Sequence, residues 1–186
     1  MVYNADMDVV AGGVLISKWF LVEGYYHWTQ ALEKYLKTLC LTIFDPDETK
    51  SEEEWVKFLM DRKMGHNLPN LARYCADTFP VYGDQKILDH LSRFSSYDQA
   101  TRYPWVKNEP AEGFSGEDIA VFFELIRRLR NDLPIEKDDY PLGILVRGCS
   151  HGDPNITIRT PQLAMQRKAV LELKDLLPDL DSLVRN

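Results

Sequence analysis

The sequence is poor in cysteine, in histidine and in long apolar runs, and each shortage excludes something. Its three cysteines, Cys40, Cys75 and Cys149, stand far apart and form no Cys-x-x-Cys pair. Apolar neighbours flank Cys40 and Cys75, so reduced, buried thiols in a cytoplasmic protein are expected rather than a disulfide framework. No run approaches the ~20 apolar residues that cross a bilayer. The opening MVYNADMDVV lacks the basic segment of a signal peptide. No membrane partner is therefore expected. The four histidines, His27, His66, His90 and His151, lack the helical or turn spacing of metal ligands, so no metal is expected. There is no phosphate-cradling glycine loop, no G-x-S-x-G and no H-E-x-x-H, so neither a catalytic residue nor a cofactor is assigned. Basic residues are the minority, 22 Lys and Arg against 29 Asp and Glu, for a net charge of -7. That balance argues against non-specific nucleic-acid binding, which favours a basic surface.

Helical periodicity is what the chain has in plenty. In residues 24–44, Trp28, Ala31, Leu32, Tyr35, Leu36 and Leu39 follow the spacing of one helical stripe. Gln30, Glu33, Lys34 and Lys37 occupy the opposite face, with Glu33 and Lys37 placed as a surface pair. A helix with so wide an apolar stripe needs other helices to pack against. Residues 9–23 read as a helix leading into it, weakened at its start by Gly12 and Gly13, with Gly24 as the break or bend. Asp45-Pro46 ends the central helix. Ser51 and Glu54 form a capping box for the next helix, whose apolar face is Trp55, Phe58 and Leu59. His66 and Asn67 sit in a turn before Leu68, Leu71, Ala72 and Cys75. Asp84 caps a helix holding Ile87, Leu88, Leu91 and Phe94. The pattern is lost over residues 95–113, which read as an aromatic loop. Ser115 and Asp118 then cap a helix with Ile119, Phe122, Phe123, Ile126 and Leu129 on its buried face.

The fold expected is all-α: an up-and-down bundle of four to five helices over residues 1–133. Residues 134–186 are expected to add a small β-hairpin, Leu142 to Val146 and Ile156 to Arg159, and a final helix after Pro161, packed on the same domain.

Two clusters invite a chemical reading. Arg102-Tyr103-Pro104-Trp105 offers a guanidinium for a phosphate or carboxylate and rings on which a base could stack. Equally, it is a loop held down by its own aromatics. Arg127, Arg128 and Arg130 fall at a helix end, where they form a phosphate patch or complement the helix dipole.

Three segments in order resemble HEPN domains, the helical "higher eukaryotes and prokaryotes nucleotide-binding" family. They are residues 24–37 with their Gln-Ala-Leu-Glu-Lys, the step His66-Asn67-Leu68-Pro69-Asn70-Leu71, and Arg102-Tyr103-Pro104 at the end of a late helix. The resemblance implies a bundle, often a homodimer. It also implies nucleotide binding, a toxin–antitoxin-like partnership with a small nucleotidyltransferase, or RNA cleavage. The ribonuclease branch carries Arg, four to six residues, then His. No arginine here has that spacing; Arg62 and His66, and Arg147 and His151, have three residues between them. The expected function is thus a nucleotide-binding or nucleotidyltransferase-accessory module without catalysis of its own. The ligand contacts expected are Arg102, Tyr103 and Trp105 with His27, Lys34 and Lys37. The alternatives are a dimerising or partner-docking bundle and a divergent ribonuclease.

Overall fold

A computed structural model describes residues 1–61, 64–102 and 114–135. Six helices run through them: α1 (Val2–Ser17), α2 (Leu21–Phe44), α3 (Glu52–Asp61), α4 (Leu68–Ala76), α5 (Gln85–Arg102) and α6 (Gly116–Asp132), with a 3-10 turn at Pro80–Gly83. No strand occurs among the described residues. The helical bundle agrees with the sequence, with six helices instead of four or five. The expected hairpin and final helix lie outside the described residues.

α2 is the axis of the bundle and touches α1, α4, α5 and α6. Its expected stripe is its buried stripe: Trp28, Ala31, Leu32, Tyr35, Leu36 and Leu39 are all in the core. Trp28 stacks on Phe122 of α6 at a centroid distance of 4.7 Å. At the top of α2, Phe44 stacks on Phe58 of α3 at 4.0 Å. α1 and α2 run antiparallel, as do α5 and α6. Asp6, Val9 and Gly12 of α1 meet Tyr35, Trp28 and Gly24 of α2 in reversed order. Cys40 of α2 meets Leu71 and Cys75 of α4. His90 and Phe94 of α5 meet Asp118 and Phe114 at α6 in reversed order.

The caps are where the sequence places them. The Ser51 hydroxyl accepts from the Glu54 N–H at 3.3 Å, and the Ser51 N–H donates to the Glu54 carboxylate at 2.8 Å. Ser115 and Asp118 form the same reciprocal pair on α6. Asp84 accepts from the Lys86 N–H at 2.9 Å, and Asn67, read from the sequence only as part of a turn, caps α4 as well. Past Phe44 the buried Asp45 locks the loop, accepting from the N–H groups of Thr49 and Lys50 and from the Trp55 indole, each at 2.9 Å.

Two boundaries differ from expectation. The first helix begins at Val2, not at residue 9, and the chain turns at residues 18–20, leaving Gly24 inside α2. Gly12 and Gly24 are there because α1 and α2 cross closely. A Cβ on Gly12 would lie 2.3 Å from Trp28 Cδ1 and 2.7 Å from the Gly24 carbonyl oxygen. A Cβ on Gly24 would lie 2.9 Å from the Gly12 carbonyl oxygen. Helix propensity, about 1 kcal/mol per glycine, is given up for contact between backbones. The second difference is α5, which continues through residues 95–102 instead of becoming a loop. Tyr97 follows Phe94 by three residues and is buried edge-on against Tyr25, at 5.7 Å. One aromatic keeps the inner stripe going while the residues around it are polar.

Gly12→Ala is expected to destabilise the fold by about 1–3 kcal/mol, the usual cost of overpacking, in urea denaturation. Gly65→Ala is the control. A Cβ there meets nothing within 4 Å, so stability is expected to stay level or rise by up to ~1 kcal/mol. Equal losses at both sites would show that the close crossing does not matter.

Candidate functional site

α1 is apolar along almost its whole length, and its two charges, Asp6 and Asp8, are both spent on contacts to other helices. Asp6 is fully buried. It accepts from the Tyr35 hydroxyl of α2 and forms an ion pair with Arg130 of α6, which is also fully buried. The Arg130 guanidinium donates to the Tyr35 oxygen at 3.0 Å as well. Burial pushes the Tyr35 pKa up, and the Asp6 charge adds to the rise, so the hydroxyl stays protonated and donates. Burial opposes the Arg130 charge, but Tyr35 and Asp6 outweigh it and raise the Arg130 pKa. Arg130 therefore belongs neither to a phosphate patch nor to a solvated helix end. Arg127 and Arg128 both pair with Glu124, at 2.7 and 2.9 Å. The three arginines do not gather.

Asp8 lies on the solvent side of α1. His27 Nδ1 is 2.9 Å from one of its oxygens, and Lys34 forms an ion pair with the other. Further along α2, Lys37 pairs with Glu33 at 2.6 Å, and His66, in the turn before α4, sits 2.9 Å from the same carboxylate. Glu33 was expected as one half of a surface pair, yet it is buried. Three of the six expected contact residues, His27, Lys34 and Lys37, thus lie on one polar strip of α2. That strip also holds Asp8, Glu33 and His66. Its two lysines face two carboxylates. Arg102 is the last residue of α5, and Tyr103 and Trp105 lie outside the described residues. Arg62, Arg147 and His151, the other members of the divergent ribonuclease pairs, lie outside them too. The C-terminal turns of α5 run to the end of the bundle from which α2 starts, since Tyr97 meets Tyr25.

A second polar cluster is structural. His90 Nδ1 lies 2.7 Å from Asp118, which also accepts from Arg93 and from the Ser115 hydroxyl and N–H. Burial works against the Asp118 charge, yet the hydrogen bonds from Ser115, Arg93 and His90 hold its pKa well below the usual carboxylate range. Asp45 behaves alike: burial raises its pKa, but the Lys50 N–H, the Trp55 indole and the Thr49 N–H outweigh it and bring it to about 2. Cys40 and Cys75 are buried, with their sulfurs 3.5 Å apart across α2 and α4. Among the described residues no group of three His, Cys, Asp or Glu side chains is placed to hold a metal ion.

No family model matches this chain, and no curated protein or solved structure matches it either.

Sequence reasoning overlooked Asp6 and Asp8, although a signal was present: two acids are the only charges in a sixteen-residue apolar helix. Such acids either break the helix's packing or find partners.

Arg130→Met is expected to cost about 3–5 kcal/mol, because it leaves the Asp6 carboxylate buried and uncompensated. Adding Asp6→Val and Tyr35→Phe should recover most of that loss in urea denaturation. No recovery would mean that the three groups do not act as a unit. Because the folded-state pKa values of Asp45 and Asp118 are depressed, their stabilisation is full above the unfolded carboxylate range. It fades as pH falls through that range towards about 2, the Asp45 value. Asp118→Asn should flatten the acid limb of the stability–pH curve.

Proposed function

We propose that this chain is a non-catalytic binding module of the HEPN type. Its ligand is a nucleotide, or a nucleotide-bearing partner such as a small nucleotidyltransferase, and it works as a homodimer. The ligand sits along the polar strip of α2 and the adjoining end of α5. The supporting observation is the meeting of Glu33 and His66 at 2.9 Å. Glu33 belongs to the Gln-Ala-Leu-Glu-Lys segment and His66 to the His-Asn-Leu segment, two separate stretches of the HEPN resemblance. They converge on one carboxylate beside Lys37. His27 and Lys34 extend the same strip through Asp8.

Chemistry is not what this strip is built for. Both histidines are held by carboxylates. A phosphate can bind by displacing Asp8 or Glu33 from a lysine, and its charge replaces theirs.

Thermal unfolding with a panel of mono-, di- and triphosphate nucleosides tests the reading. A ligand binding only the folded state at 100 times its dissociation constant adds about 2.7 kcal/mol, a rise of several degrees for a domain of this size. The shift should disappear in Lys34→Ala/Lys37→Ala. Asp8→Asn, which frees Lys34, should enlarge it. No shift with any nucleotide would remove the nucleotide reading and leave a partner-docking bundle.

A further inference from the structure

The turn between α1 and α2 is built against the usual economy of a helix end. The Trp19 N–H donates to the Ile16 carbonyl at 3.0 Å and the Phe20 N–H to the Leu15 carbonyl at 2.9 Å. These are the two bonds of a Schellman motif, whose left-handed position is ordinarily glycine. Here that position is Trp19, at φ 67°, a conformation unfavourable for a bulky side chain. The indole gains no burial in return. Trp19 is 84% exposed, and Phe20, Leu21 and Val22 after it are 56%, 39% and 52% exposed. Single exposed apolar residues are ordinary, but four in succession on one convex tip are not.

We infer that this tip is an interfacial anchor that inserts shallowly into the surface of a phospholipid bilayer. The first argument is size. With an aromatic side chain offering roughly 150–250 Å², the four residues expose roughly 400–500 Å². A stable dimer or protein complex takes about 800 Å² from each partner, so a second copy docked tip to tip would be underfilled. A bilayer interface needs no matching shape, and it is where Trp and Phe partition best. The second argument is charge. Lys18 before the tip and Glu23 after it cancel, so the tip has no net charge, while the chain carries -7. Anionic lipid offers no attraction, and the matching surface is zwitterionic. The third is shape: α1 and α2 both lead away from the tip, which is the end of their hairpin. This is contact with a surface and not a crossing, since no described helix is long and apolar enough to span a membrane.

Co-sedimentation with phosphatidylcholine vesicles, read together with tryptophan emission, tests the inference. The wild-type chain is expected to pellet with the vesicles, with blue-shifted emission, equally at low and at 0.5 M salt. Trp19→Gly is the decisive variant. Glycine suits the left-handed position, so the melting midpoint should hold or rise while vesicle binding falls at least tenfold. Three results would overturn the inference. They are no wild-type binding to vesicles, undiminished binding by Trp19→Gly, and a dimer in light scattering that Trp19→Gly splits while vesicles capture nothing. The last would assign the tip to a second copy of the chain.

Discussion

The structure depends on keeping one positive charge out of water. Arg130 is fully buried near the end of α6, and α1 and α2 must both be in place to satisfy it. Removing an ion from water costs several kcal/mol even after relaxation, so the guanidinium is tolerated only where Asp6 and Tyr35 converge. The buried pair is weak evidence for net stability, since apolar replacements often do as well. What it does impose is register. Sliding α1 along α2 by one turn, about 5.4 Å, would withdraw Asp6 from Arg130 and leave two buried charges apart.

The Gly12 and Gly24 crossing reinforces that selection. Only where both residues lack a Cβ can the backbones of α1 and α2 come so near, and the same register puts Asp8 beside His27 and Lys34. Polar strip, glycine contact and buried ion pair are therefore three consequences of a single alignment of two helices. The turn that joins them then has to close in three residues, which places Trp19 in its left-handed conformation.

Much of this was legible in the residues, and the parts that were not share a cause. The core stripe of α2 and the caps at Ser51, Asp84 and Ser115 are local facts, set by periodicity and by side chains bonding to nearby N–H groups. Gly12 and Gly24 were read as weak points because helix propensity is local, whereas their value lies in a contact between two helices. Tyr97 was lost among Ser, Asp and Gln because a stripe one residue wide is invisible to a pattern of averages. Arg130 read as a dipole partner because its position in the last turn fits that role equally well. Only the helix opposite shows that it faces inward. Of the expected contacts, His27, Lys34 and Lys37 fall together because helical spacing is reliable over ten residues. Glu33 and His66, thirty-three residues apart, meet through tertiary packing alone.

The charge balance of the strip bears on what it can hold. Two lysines tied to two carboxylates present little net field, so an approaching phosphate gains less from them than from unpaired cations. Glu33 is buried, and displacing its lysine leaves a carboxylate with His66 as its remaining partner. Asp8 is more accessible and its pair with Lys34 is the easier to open. A ligand on this strip is thus expected to enter at the Asp8, His27 and Lys34 end. That end of the strip is the one nearer the start of α2. On the proposed reading, selectivity would rest on an exchange of anions, which rewards a ligand whose phosphate matches the position of the Asp8 carboxylate over one that merely carries more charge.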